Sequence, residues 1–252
     1  MLDSAARGRK SVRISARRNR AVNADSNAPP IDRPYGRLVD RQGLSDGHRM
    51  MIDAVRPGSR VLDVGCATGY LAEQLAARGC TVFGMESDAA NAEKARAFCA
   101  EVVVGDIERA EDRARLPAPF DFVMYGDVLE HLRDPWTVLT ATRELLAPDG
   151  RVIASIPNIA HWSARREIAL GRFPYADHGL FDRTHLRFFT RASAHALAES
   201  AGYEIEREEF TRWRLPMQKF FGALMPKSLQ PKAARRWPEL FAFQFVLTLK
   251  PR

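Results

Sequence analysis

The sequence predicts an α/β domain whose mostly parallel sheet is covered by helices on both faces. Three observations carry that expectation: short apolar runs alternate with helical patterns from Leu44 to Ile156, the first run ends in a small-residue turn, and no segment repeats. Strands joined through helices need crossover connections, which lay the strands parallel and bury both faces of the sheet.

Arg60-Val-Leu-Asp63 reads as a buried strand, with a helix over residues 70–78. A strand at 81–85, a helix at 89–99 and strands at 102–104 and 120–125 follow. Residues 136–146 carry a helical pattern that Pro148-Asp149-Gly150 is expected to end, before a strand at 151–156. After Pro157 the alternation stops. An irregular stretch runs to Thr190, then a helix at 192–201, an alternating strand at 203–210 and a final strand at 240–249.

A chain of 252 residues with 46% hydrophobic content buries a sizeable core, and one domain with extensions accounts for the length. Residues 1–41 read as a disordered basic tail and 42–252 as the domain, with an insertion over about 158–190 and a basic, partly apolar segment over about 212–236. Apolar runs stay short of a membrane span and the start lacks a secretory pattern, so a cytoplasmic setting is expected. Cys66, Cys80 and Cys99 are too few and too far apart for a disulfide or zinc framework, and are read as reduced thiols.

The net charge of +7 is local. Residues 1–41 hold ten Lys/Arg against four Asp/Glu, while residues 212–236 hold seven basic residues and no acid. The domain itself is therefore not expected to bind nucleic acid. In the late segment, Arg214, Lys219 and Lys227 interleave with Trp213, Phe220 and Phe221, a mixture suited to peripheral contact with a membrane.

The turn Asp63-Val-Gly65-Cys-Ala67-Thr-Gly69 closes an apolar strand and opens a helix. Glycine lets backbone approach a ligand closely, and such turns lie outside the carboxyl ends of strands, where open parallel sheets bind ligands. The glycines stand four apart, unlike the dinucleotide spacing, and Asp63 would repel a pyrophosphate yet attract a cation.

The chain resembles the class I S-adenosylmethionine (SAM) dependent methyltransferases, in the group that includes small-molecule and ubiquinone-pathway O-methyltransferases. Five pieces carry the resemblance in order: the turn, Val82-Phe-Gly-Met-Glu86, Gly105-Asp106-Ile107, the run from Phe120 to His131, and Leu145-Leu-Ala-Pro-Asp-Gly150. It implies a Rossmann-like, seven-stranded, mostly parallel sheet with the last strand antiparallel. It also implies SAM as cofactor, anchored by Asp63, Gly65 and Gly69. Ala67 departs from the family, which usually has glycine there. Glu86 would accept hydrogen bonds from the ribose hydroxyls, Asp106 and Ile107 would contact the adenine, and Tyr125 with Gly126 would line the methionine arm.

Methyl transfer needs alignment and, for a hydroxyl acceptor, removal of a proton. His131 and Asp127, just past the fourth strand, are the candidate catalytic residues, and an imidazole with a pKa of about 6.5 suits the base. Asp127, Glu130 and His131 also resemble the Glu-x-x-Glu-His metal ligands of some methyltransferases, which would hold a divalent ion. In the insertion, His161, Tyr175, His185 and Arg187 are candidate acceptor contacts. The expected acceptor is an oxygen of a small, glycan or lipid-linked molecule. An N-methyltransferase, whose familiar Asn/Asp-Pro-Pro-Tyr/Phe signature is absent, and a catalytically silent SAM-binding subunit are the alternatives.

Overall fold

The computed structural model describes residues 44–212 and 236–252. The tail to residue 41 and all but the ends of the segment 212–236 lie outside the described residues, together with the expectations placed on them. Helix α1 (Asp46–Ala54) comes first, followed by β1 (Arg60–Val64), α2 (Tyr70–Ala76), β2 (Thr81–Glu86), α3 (Ala89–Ala95), β3 (Glu101–Val104) and α4 (Ala110–Arg113). After β4 (Phe120–Gly126) come a 3₁₀ turn (Leu129–His131), α5 (Pro135–Thr142), β5 (Leu146–Pro157), α6 (Trp162–Ala169) and α7 (Arg191–Ser200). Strand β6 (Tyr203–Arg212), α8 (Pro238–Phe241) and β7 (Ala242–Pro251) complete the order.

The strands form one seven-stranded sheet in the order β3-β2-β1-β4-β5-β7-β6. Strands β1 to β5 pair in parallel, and β7 runs antiparallel to both neighbours, β5 and β6. Side-chain alternation divides the core. Leu62 and Val64 of β1 join Val138 and Leu139 of α5 and Leu197 of α7 on one face, whereas Val61 joins Met51 of α1 and Leu71 and Leu75 of α2 on the other. Each such side chain, fully buried, stabilises the fold by roughly 1.5–3 kcal/mol.

Helix α1, which the sequence reading did not single out, has a capping box between Ser45 and His48. It buries His48, Met51 and Ile52 and stops before Pro57, which drives the preceding residue out of helical conformation. The stop expected at Pro148-Asp149-Gly150 is also corrected. Helix α5 ends at Thr142, a 3₁₀ turn covers Arg143–Leu145, and β5 already begins at Leu146. A register shift between Phe120 and Phe122 absorbs the Pro-Asp-Gly stretch inside the strand pair.

Candidate functional site

The carboxyl ends of β1, β2 and β4 converge on the turn after β1. Asp63 is buried there, and its Oδ2 has no hydrogen-bond partner. Burial, reinforced by the neighbouring Glu86, pushes its pKa up to about 7. The turn is stitched to β2 by Gly65 N–H and Cys66 N–H, which both donate to Met85 O, at 2.7 and 3.2 Å. Gly65 has φ +67°, and a Cβ there would lie 2.8 Å from Val128 Cγ2. Gly69 has φ +85°, and a Cβ there would lie 2.9 Å from Ala95 Cα, so glycine lets α3 pack on the turn.

Glu86, at the end of β2, braces the turn from the other side. Its Oε2 accepts from Ala67 N–H at 2.9 Å, and its Oε1 accepts from Asp88 N–H at 2.8 Å and Ser87 Oγ at 3.3 Å. A carboxylate has about four acceptor positions, so one remains and the long Ser87 bond is the one most easily exchanged. Two donors from a ribose therefore fit. Asp106 is partly exposed; its Oδ1 accepts from Glu108 N–H at 2.9 Å, and Arg133 lies 3.6 Å from Oδ2. Ile107 is buried in the main core.

Tyr125 requires a correction. Its side chain points into the main core and its hydroxyl meets Thr142 Oγ1 at 2.5 Å, because alternation along β4 turns it away from the ligand end. Gly126, next in line, packs near Leu71 and Met51.

Asp127 follows in a left-handed conformation, φ +55°. Its N–H donates to Ser155 Oγ at 2.9 Å, while its Oδ1 accepts from Ser155 Oγ and Gln244 Nε2, both at 2.7 Å. Across from it, Tyr70 packs on His48 with ring centroids 5.1 Å apart. Burial raises the Tyr70 phenol's pKa, as do the Asp63 and Asp127 charges, so this phenol stands among the site's carboxylates. Burial lowers His48, and Asp127 opposes that shift. His48, Ser155 and Gln244 were missed by the sequence reading. The capping pattern of Ser45 and His48 was the only available signal, since Gln244 lies 117 positions from its partner.

The expected metal-ligand set is corrected too. Asp127 is turned toward Ser155 and Gln244, and the lid's His185 joins Glu130 and His131 instead. The ligand atoms of these three residues lie within 4.8 Å of one another. Glu130 is buried with both carboxylate oxygens unpartnered, and its Oε1 lies 4.0 Å from His185 Nε2. Burial, then Asp127, holds the Glu130 pKa well above the usual carboxylate range; burial, then His131, takes His185 down to about 4. The His131 Nδ1 lies 3.1 Å from Thr184 O, which can only accept. Thr184 Oγ1 lies at the same 3.1 Å from Nδ1, so one residue of the lid orients the ring through two oxygens. An imidazole oriented by a backbone carbonyl, a second imidazole and a buried carboxylate lacking donors are the donor set a divalent ion takes.

The remaining lid candidates do not converge on this cluster. His161 is buried and caps α6, its Nδ1 2.8 Å from Ser163 Oγ and its ring against Phe243, with Nε2 unpartnered. Tyr175 is exposed against Phe173. Arg187 donates through Nε to Arg133 O at 3.1 Å and lies over the Trp136 ring.

Sheet order, cofactor turn and the acid ending β2 together define a nucleoside-binding α/β domain. A family model described as a methyltransferase domain matches residues 32–208, and the chain belongs to that family, the class I SAM-dependent methyltransferases. It is 40% identical over 119 residues to a ubiquinone biosynthesis O-methyltransferase of Neisseria meningitidis, covering 45% of this chain and 48% of that protein. The chain thus spans about half the length of the curated relatives it matches. Among solved structures, a SAM-dependent methyltransferase of Thermotoga maritima, described as a possible histamine N-methyltransferase, matches with a TM-score of 0.59 and 19% identity, over 88% of this chain and 99% of that one. Magnesium protoporphyrin IX methyltransferase of Synechocystis with bound SAH matches with a TM-score of 0.55 and 18% identity, over 86% and 84%. Both likenesses speak to the fold.

Proposed function

We propose that the chain transfers the methyl group of SAM to an oxygen of a small, glycan-linked or lipid-linked acceptor, and that Glu130, His131 and His185 hold a divalent metal ion beside the transfer site. The observation that carries this reading is Glu130: a buried carboxylate with two unpartnered oxygens, 4.0 Å from an imidazole nitrogen. A bound divalent ion supplies Lewis-acid polarisation of acceptor oxygens. Asp63 and Glu86 hold the cationic methionyl part and the ribose, and Asp106 and Ile107 hold the adenine. Asp127, clamped by Ser155 and Gln244, fixes the floor on which acceptor and methyl carbon align. The setting we propose is cytoplasmic, in keeping with three free thiols. The basic segment 212–236 is the proposed peripheral contact with a membrane.

A second reading gives His131 the role of general base, favoured by its place just past the carboxyl end of β4 and by the Thr184 oxygens that orient its ring through Nδ1. One series of measurements tests both. SAM binding is followed by calorimetry, Mn²⁺ uptake by paramagnetic resonance, and methyl release over a panel of hydroxyl and amine acceptors, for wild type and Glu130→Gln. Intact SAM affinity with lost Mn²⁺ uptake and lost turnover on a hydroxyl acceptor is the expected result. Turnover that survives chelation but fails in His131→Gln assigns the base instead. SAM binding without turnover on any acceptor favours the silent subunit.

A further inference from the structure

The lid between β5 and α7 carries an exposed surface to which the proposed transfer chemistry assigns no role. Of the nine large hydrophobic side chains exposed among the described residues, six lie there: Ile168, Leu170, Phe173, Tyr175, Leu186 and Phe188. Four of these are between 50% and 68% exposed. Exposed apolar residues are ordinarily scattered singly, and their concentration in one place marks an interface. Two of the six, Tyr175 and Phe188, pack with Phe181 around a third, Phe173. The ring centroids of Tyr175, Phe181 and Phe188 lie 5.1, 4.8 and 5.5 Å from that of Phe173.

The charge around the patch is one-sided. Arg165, Arg166, Arg172, Arg183 and Arg187 are all exposed, whereas Asp182 is buried and only Glu167 and Asp177 remain as lid acids toward solvent. Asp177 pairs with Arg183 at 2.8 Å, and Glu167 lies 3.9 Å from both Arg166 and Arg172, so the guanidinium groups outnumber their acids. A symmetric pairing of two copies through this face would set the arginine rim against itself. An anionic bilayer complements it, since aromatic and aliphatic groups enter the acyl boundary while guanidinium groups meet the headgroups.

We propose that this lid face docks on an anionic lipid bilayer. The proposal goes beyond the acceptor reading and does not depend on it: Leu186 and Phe188 flank His185 of the Glu130 cluster, but Ile168, Leu170, Arg166 and Arg172, which test the surface, belong to neither that cluster nor the cofactor turn. It also differs from contact through residues 212–236, since every residue that builds it lies between β5 and α7.

The test is sedimentation of the full chain with vesicles of mixed phosphatidylcholine and phosphatidylglycerol, and with phosphatidylcholine alone, at low salt. The chain is expected to pellet with the mixed vesicles only. Ile168→Ser combined with Leu170→Ser, and separately Arg166→Glu combined with Arg172→Glu, should each lower the bound fraction on the order of tenfold. Unchanged melting temperature and SAM affinity establish that the variants are folded. Wild type that stays in the supernatant with mixed vesicles overturns the proposal. So does pelleting that survives both lid variants and disappears only when Arg214, Lys219 and Lys227 are changed to Glu. A concentration-dependent dimer that the lid variants abolish overturns it as well, by assigning the face to a second copy.

Discussion

Burial pushes the pKa of the Asp63 carboxyl up to about 7, so it is mostly protonated below neutral pH and SAM binding should depend on pH there. Its folded pKa of about 7 lies above the unfolded value near 3.8, so the folded state binds more protons between those limits. Folding stability is therefore lost as pH rises from about 4 to 7, on the order of 4 kcal/mol when the charge is fully developed. A cation placed against Oδ2 favours the ionised form, so binding below pH 7 must release the proton. SAM affinity is expected to rise by up to about tenfold per pH unit from 5.5 to 7 and then level off. Calorimetry in buffers of different ionisation enthalpy should count close to one proton released at pH 5.5. A flat affinity profile, or an unchanged one in Asp63→Asn, would remove Asp63 from the cofactor site. Gly65→Val is a poorer probe than its place in the turn suggests. Its positive φ and the Val128 contact strain the fold before any ligand is considered. Ala67, with φ +48°, sits where a glycine would be unstrained: a left-handed alanine costs about 1–2 kcal/mol.

Between elements, the turn is held as much by β2 as by its own residues. At Gly84, a Cβ would lie 2.7 Å from Cys66 Sγ and 3.3 Å from Val102 Cγ2, so this strand glycine makes room for the turn's buried thiol. Gly84→Ala is expected to destabilise the protein by about 1–3 kcal/mol in urea denaturation and to weaken SAM binding. Adding Cys66→Ala should recover most of both losses, because the two changes share one contact. Additive losses in the double variant would show that the sulfur is not what the glycine accommodates.

The strand at Val61 and Leu62 and the acids ending β1 and β2 were legible because a two-residue alternation and strand-end position depend on local sequence alone. Glu130 and His185 were not legible as a pair. They are joined by the lid's path, along which Leu186 N–H and Arg187 N–H both donate to Glu130 O at 2.9 Å. The Tyr125 ring was not legible either: alternation separates the two faces of β4, but only the packing of α5, with Thr142 against the hydroxyl, shows what covers the face it takes.

Over the whole molecule, charge and chemistry are separate in the chain. Residues 34–252 form one compact unit that contains every site residue discussed, whereas residues 1–33 hold eight Lys/Arg against three Asp/Glu. That surplus of five is most of the molecule's +7. A chain lacking residues 1–33 should keep the melting temperature and SAM affinity of the full chain. Any affinity for nucleic acid should behave oppositely. Binding through a basic tail works by releasing counterions, with a logarithmic salt slope that grows by about 0.9 for each phosphate neutralised on a duplex. Duplex DNA binding by the full chain, measured by fluorescence anisotropy, should therefore be weak at low salt, collapse toward 200 mM, and be absent from the shortened chain. Salt-resistant DNA binding that survives the deletion would locate a nucleic-acid surface on the domain and reverse the expectation that its acceptor is a small or lipid-linked molecule.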